Sequence, residues 1–196
     1  MRLISNLGFA ICGSSILFLT GCQHLNQPHK TIVSSQIQDE NHFYLQGKIG
    51  VHTPYQSGSA FFTWIQRPDQ FNIELSGALG IGKTQIKGQS GQVTLTSAKT
   101  GEITATSAEE LLEKATGWHA PVQYLTYWVQ AKPATSKAKI QMDQDQRIQH
   151  LTEAGWNVDF SYPNAQHLPN KLVIKQVLAD DQENRITMVI QNREFR

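Results

Sequence analysis

Beyond about residue 40 the chain is written mostly in period two. Phe43, Leu45, Gly47, Ile49 and Val51 alternate with Tyr44, Gln46, Lys48 and Gly50. Phe71, Ile73 and Leu75 alternate with Asn72, Glu74 and Ser76. The same rhythm runs through Trp156, Val158, Phe160 and Tyr162, and again through Ile186, Met188 and Ile190. Each pattern predicts a strand with one apolar face. Further strands are predicted at 57–66, 83–89, 91–97, 138–143, 147–153 and 171–178. The links between them, such as Arg67-Pro68-Asp69, Gly88-Gln89-Ser90-Gly91 and Asp143-Gln144-Asp145, are short and turn-like. A parallel crossover needs a dozen or more residues, so these neighbours are antiparallel.

The middle of the chain breaks the rhythm. Ser107-Ala108-Glu109-Glu110 reads as a capping box, with Ser107 as N-cap and Glu110 three residues on. Leu111, Leu112 and Ala115 form a narrow apolar stripe, and Gly117 is a natural stop. A second helix starts near Pro121, places Val122, Leu125, Trp128 and Val129 on one face, and ends by Pro133. The expected fold class is mainly β (α+β): an antiparallel sheet with two short helices inserted to cover one face.

The first 21 residues belong to a different kind of segment. Arg2 is their one charge, and an apolar run follows from Phe9 to Leu19, interrupted by Gly13, Ser14 and Ser15. A basic start, a short apolar core and a small-residue exit make a secretory signal peptide; the run is too short for a comfortable membrane span. Its ending, Leu19-Thr20-Gly21-Cys22, resembles a bacterial lipobox. That resemblance implies diacylation of the Cys22 thiol and cleavage before it. Residues 22–38, polar and containing Pro28, then read as a flexible tether, and 39–196 as one domain.

Charge and composition narrow the function classes. The net charge is +1, and removal of Arg2 brings it to zero. A neutral domain has no general attraction to nucleic acid, so membrane contact must come from the anchor or a local apolar feature. Once residues 1–21 are removed, Cys12 goes with them and Cys22 has no disulfide partner. Four Trp, eight Phe and five Tyr are spread over strands and the second helix. They fit either a packed core or a partly filled apolar space, and composition does not choose between these.

Chemistry-like motifs are few. Gly77-Ala78-Leu79-Gly80-Ile81-Gly82-Lys83-Thr84 satisfies the P-loop pattern, but a phosphate-binding loop must run into a helix. Here the continuation, Gln85-Ile86-Lys87-Gly88, alternates like a strand. The loop tip instead puts Leu79 and Ile81 among glycines where turns normally carry polar residues. An apolar protrusion of this kind suits insertion into a membrane interface. The seven histidines have no ligand spacing, no nucleophile elbow is present, and the carboxylates fall in solvated turns or the first half of a helix. No catalytic residue, metal site or cofactor is expected.

Taken in order, these segments resemble the LolB family of outer-membrane lipoproteins. The resemblance is carried by Gly47-Lys48-Ile49-Gly50-Val51, Ser59-Ala60-Phe61-Phe62-Thr63-Trp64 and Gly77-Ala78-Leu79-Gly80. Ala108-Glu109-Glu110-Leu111-Leu112, Pro121-Val122, Gly155-Trp156-Asn157-Val158 and Leu168-Pro169-Asn170-Lys171-Leu172 add to it, together with the lipobox. The resemblance implies an incomplete antiparallel barrel with a helical lid over an apolar cavity. It also implies a receptor that takes lipoproteins from a LolA-type periplasmic carrier and passes their acyl chains to the outer membrane. The receptor would be a monomer, lipid-anchored on the periplasmic face. Leu79 falls at the family's exposed apolar loop residue, and Ile81 is an additional aliphatic there. By alternation, the expected acyl-chain lining is Phe62, Trp64, Phe71, Ile73, Trp128, Trp156, Val158, Phe160 and Met188. The alternative is a structural or assembly lipoprotein that binds a protein partner and holds no lipid.

Overall fold

A computed structural model describes residues 42–77 and 82–195. Cys22, the signal peptide, the tether, Leu79 and Ile81 lie outside the described residues. The strands are β1 (Phe43–His52), β2 (Ser57–Gln66), β3 (Gln70–Ser76), β4 (Thr84–Gln89), β5 (Gln92–Ser97) and β6 (Gly101–Ala105). Two helices follow, α1 (Ala108–Thr116) and α2 (Val122–Trp128). Then come β7 (Lys139–Met142), β8 (Ile148–Glu153), β9 (Trp156–Ser161), β10 (Lys171–Val177) and β11 (Glu183–Phe195). They form one open sheet in the order β6-β5-β4-β3-β2-β1-β11-β10-β9-β8-β7.

That order is a meander on each side of one long-range pairing. Phe43 to His52 of β1 run antiparallel to Phe195 to Arg185 of β11, and the other neighbours are hairpin-linked. β6 and β7 are the two edges, and the helices lie on the chain between them. The connection therefore has to run from one edge of the sheet to the other, which carries its apolar side chains over the inner face. There Phe43, Leu45, Phe62, Trp64, Val158, Phe160, Leu172, Ile174, Ile186 and Met188 meet Leu125, Trp128 and Val129 in one core.

Three details depart from the expected elements. β6 is an additional strand; Gly-Glu-Ile-Thr-Ala has a single large apolar side chain, too little for a period to register. α2 stops at Trp128 and does not reach Pro133. Ala131 turns to φ 53, and the Arg193 guanidinium takes the Val129 carbonyl at 2.7 Å, so the helix end is fixed by a distant side chain. β11 continues to Phe195 with a bulge: Gln46 faces Asn192, but Gly47 faces Ile190. A Cβ on Gly47 would fall 2.0 Å from the Val189 carbonyl oxygen, so only glycine permits this approach. The bulge reverses the parity, and Arg193, not Asn192, joins the inner face.

α1 forms as its capping residues predict. The Glu110 amide donates to Ser107 Oγ at 3.1 Å, and Gly117 closes the helix in the left-handed conformation. The return arm of the box differs by one residue, since the Glu110 carboxylate accepts from the Thr106 amide. Hydrogen bonds from Lys114, then Thr106, hold that carboxyl down to about 2.

Candidate functional site

The candidate site is the inner face of the sheet and its helical cover. Side chains line up across the strands by register. One row runs Ile103, Leu95, Ile86, Ile73, Trp64 and Leu45. The next includes Leu75, Phe62, Gly47 and Ile190. Most are apolar because every second residue of each strand points this way.

Two separate cores form on this face. The larger unites β1, β2 and β8–β11 with α2, and Trp128 and Val129 at its centre are fully buried. The smaller consists of Val93, Leu95, Ala105 and Leu111, with Phe71, Ile86, Ile103 and Ala115 packed against it. It joins α1 to β5 and β6. Ile49, Ile73, Leu75, Leu112, Trp118 and Val122 pack against the larger core while only partly buried. They include residues of β1, β3, α1, α2 and the segment that links the helices, and they make up part of the apolar margin of the larger core.

The nine residues expected to line an acyl-chain space are placed as follows. Phe62, Trp64, Trp128, Trp156, Val158, Phe160 and Met188 are buried together in the larger core, and Ile73 packs against it. Phe71 departs from the set, because it belongs to the smaller core. Phe71 also borders a groove of about 590 Å³ whose other walls include Arg67, Asn72, Gln85, Lys87 and Thr94. Phe62 and Leu75 border another of about 430 Å³, beside Phe61, Glu74 and Lys83. The P-loop-like segment leads into β4 at Thr84, and Lys83 pairs with Glu74 at 2.9 Å. Among the described residues no cluster of His, Cys, Asp and Glu is suited to a metal ion, and no helix is long and apolar enough to cross a membrane.

Two charged residues hold the cover in place, and neither was singled out from sequence. Glu153, buried at the end of β8, accepts the Trp128 indole N–H at 2.9 Å, the Ala134 amide at 3.0 Å and the Thr135 amide at 2.6 Å. Burial pushes this carboxyl up, but the donors from Trp128, Ala134 and Thr135 outweigh it, and the net shift is downward. Arg193 donates to the Val129 carbonyl at 2.7 Å and the Pro169 carbonyl at 2.9 Å, and burial lowers its pKa to about 10. Glu153 had a readable signal: it follows Leu151 in the period-two pattern and so occupies an inward position. Arg193 had none, because the bulge decides its side.

One residue of this margin carries an unmatched polar group. The Trp118 indole N–H is buried without a hydrogen-bond partner, while its ring packs edge-on to Trp156 at 6.5 Å. A buried donor without an acceptor is uncommon in native proteins.

Residues 41–192 match the sequence profile of the family described as outer membrane lipoprotein LolB. An outer-membrane lipoprotein LolB of Stutzerimonas stutzeri is 34% identical over 205 residues, covering 98% of this chain and 96% of that protein. One from Pseudomonas putida strain F1 is 39% identical over 142 residues, covering 70% of this chain and 69% of its own. A solved structure of a LolA superfamily protein from Nitrosomonas europaea overlaps 80% of this chain and 87% of its own, with TM-score 0.45 and 8% identity. The profile match and the near full-length relative agree with the outer membrane as its location. This is a family of outer-membrane lipoproteins and not of enzymes, and the chain belongs to the LolB family.

Proposed function

We propose that this protein receives lipoproteins from a LolA-type periplasmic carrier and inserts them into the outer membrane. In this reading, the acyl chains lie between the helices and the inner face of the sheet. Cys22 carries the lipid anchor on the periplasmic face, and Leu79, with Ile81 beside it, guides the cargo into the bilayer.

The observation that carries this reading is the partly buried apolar margin of the larger core. Ile49, Ile73, Leu75, Leu112 and Trp118 each pack against that core without being fully buried, and in this reading they are the apolar seam that opens under the cover. Every buried methylene of an acyl chain gains about 0.8 kcal/mol, so long chains are never released into water at useful rates. An apolar seam beneath a cover held mainly at one end accepts such chains by local parting of the helices. Within it, the Trp118 N–H suits an ester or amide carbonyl at the head of the chains. Phe62, Trp64, Phe71, Trp128, Trp156, Val158, Phe160 and Met188 are then the walls that the chains reach as the cover parts.

The test uses the full-length lipidated protein in vesicles, given a carrier loaded with lipoprotein. The wild type is expected to take up cargo and deliver it. Leu79→Glu is expected to keep uptake and slow delivery roughly tenfold or more, since one interfacial leucine is worth about 1.5–3 kcal/mol. Ile81→Glu reports which aliphatic residue leads. Normal delivery by both variants overturns the loop's role, and failure of the wild type to take up cargo overturns the receptor reading.

A further inference from the structure

The hairpin between β1 and β2 ends in a tyrosine that has no structural work in the folded domain. Tyr55 is 94% exposed, the most exposed large apolar side chain among the described residues. The turn beneath it is rigidly built. Thr53 is buried; its Oγ1 accepts from the amides of Tyr55 and Gln56, and its own amide donates to the Gln56 carbonyl at 2.8 Å. Pro54 fixes a further backbone angle. The tip is therefore held in one shape while its aromatic ring points into solvent.

The hairpin also projects. Ser57 to Ala60 of β2 pair with Ile49 to His52 of β1, but pairing of β2 with β3 begins only at Phe61, opposite Ser76. Four residues of β2 thus extend past the end of β3, a distance of about 13 Å at strand rise. Beyond this same end of the sheet lies the β10–β11 connection, since His52 also faces Arg185. No charged residue occurs between His52 and Arg67, so the tip enters a polar–apolar boundary without burying a charge. The adjacent β10–β11 turn is of mixed sign, with Asp180, Asp181, Glu183 and Arg185. Contact here would rest on the ring and not on anionic lipid.

We propose that the β1–β2 tip is a membrane contact in its own right, with Tyr55 seated at the headgroup level of the bilayer. The partner is a lipid surface of zwitterionic character. A tyrosine has an apolar body and a polar tip, the combination that concentrates at membrane–water interfaces. The stretch from Cys22 to Phe43 extends at most ~75 Å, about twice the ~33 Å length of β1, so an anchor at Cys22 permits this end to face the membrane. The proposal rests on the lipid-anchored reading but not on lipoprotein transfer.

The experiment uses the full-length lipidated protein in phosphatidylethanolamine–phosphatidylcholine vesicles, without anionic lipid and without cargo. Gln56→Cys, beside an intact Tyr55, carries an environment-sensitive fluorophore, and Asp69→Cys, in the β2–β3 turn at the opposite end of the sheet, carries the same label as the reference. A blue shift and quenching by headgroup-labelled lipid are expected at position 56 and not at 69, and Tyr55→Ala in the Gln56→Cys background is expected to abolish them. Equal, water-like emission at both positions, or a shift that survives Tyr55→Ala, overturns the proposal. So does a shift at 56 that appears only when the carrier is added, which would make the tip a protein contact. Because no transfer is measured, a failed receptor reading does not affect the outcome.

Discussion

The two helices cover the same sheet, yet they are held by different means. α2 fits into the larger core through Leu125, Trp128 and Val129, and a buried carboxylate from β8 and a half-buried guanidinium from β11 tie down its end. α1 rests on β5 and β6 through Leu111, its one fully buried residue, with Ala115 and Leu112 only partly buried. Its other ties are exposed: Lys114 donates to the Thr104 carbonyl at 3.3 Å, and Glu109 accepts the Gln123 amide of α2 at 2.6 Å. The difference teaches where the cover can part. Separating α1 from the sheet exposes a small core, whereas moving α2 breaks buried hydrogen bonds to charged groups, each worth about 1.5–3 kcal/mol. α2 is the more firmly held part of the cover, and α1 is the part expected to yield first.

The contrast is most severely tested at Glu153. Glu153→Ala leaves the Trp128 indole and two amides without their acceptor, and a loss of about 3–5 kcal/mol of stability is expected in urea unfolding. The folded carboxyl titrates below its usual value of 4.5. Its stabilisation is therefore complete above that value and is lost as pH falls through the lower folded value. Glu153→Gln should flatten this acid limb of a stability–pH profile. A near-neutral Glu153→Ala would mean that α2 is no more firmly held than α1.

Leu111→Ala is next in size. Truncating it should cost about 2–3 kcal/mol, at the low end for a buried leucine because the surrounding core is small. The loss should be local. Hydrogen exchange is expected to rise in 108–116 while 122–129 stays protected, and uptake of a lipopeptide should quicken. If both helices open together, the cover is one unit and the comparison fails.

The smallest effect is the most specific. Replacing Trp118 with benzothienylalanine, in which sulfur stands for the indole N–H, keeps the bicyclic ring and removes the unpartnered donor. The empty protein should be unchanged or more stable by up to about 1 kcal/mol, because a buried donor without an acceptor is a cost. Binding of a triacylated lipopeptide should weaken, while an alkane probe lacking carbonyls should bind as before. Equal loss for both probes would assign Trp118 to packing alone.

Much of this architecture was readable along the chain because its signals are local. Period-two alternation in 43–51, 57–66 and 156–161 depends only on neighbours two residues apart, and the Ser107 and Gly117 caps act within one helical turn. Short turns then imposed antiparallel order. β6 escaped because it joins the smaller core through one large apolar side chain, Ile103, and the small Ala105, too weak an alternation to register.

What the sequence by itself determined is therefore which residues can face inward, and that two short helices interrupt the strands to cover one face. Tertiary structure alone decided which inward residues share a core. Phe71 and Trp64 alternate alike, yet Phe71 packs with α1's core and Trp64 with α2's. It also decided that Arg193 reaches the end of α2, because one bulged residue in β11 reverses every side chain after it. The reason is physical. Alternation specifies a face, but position across a curved sheet, the parity after a bulge and the partner of a buried charge arise only when strands distant in sequence are brought into register.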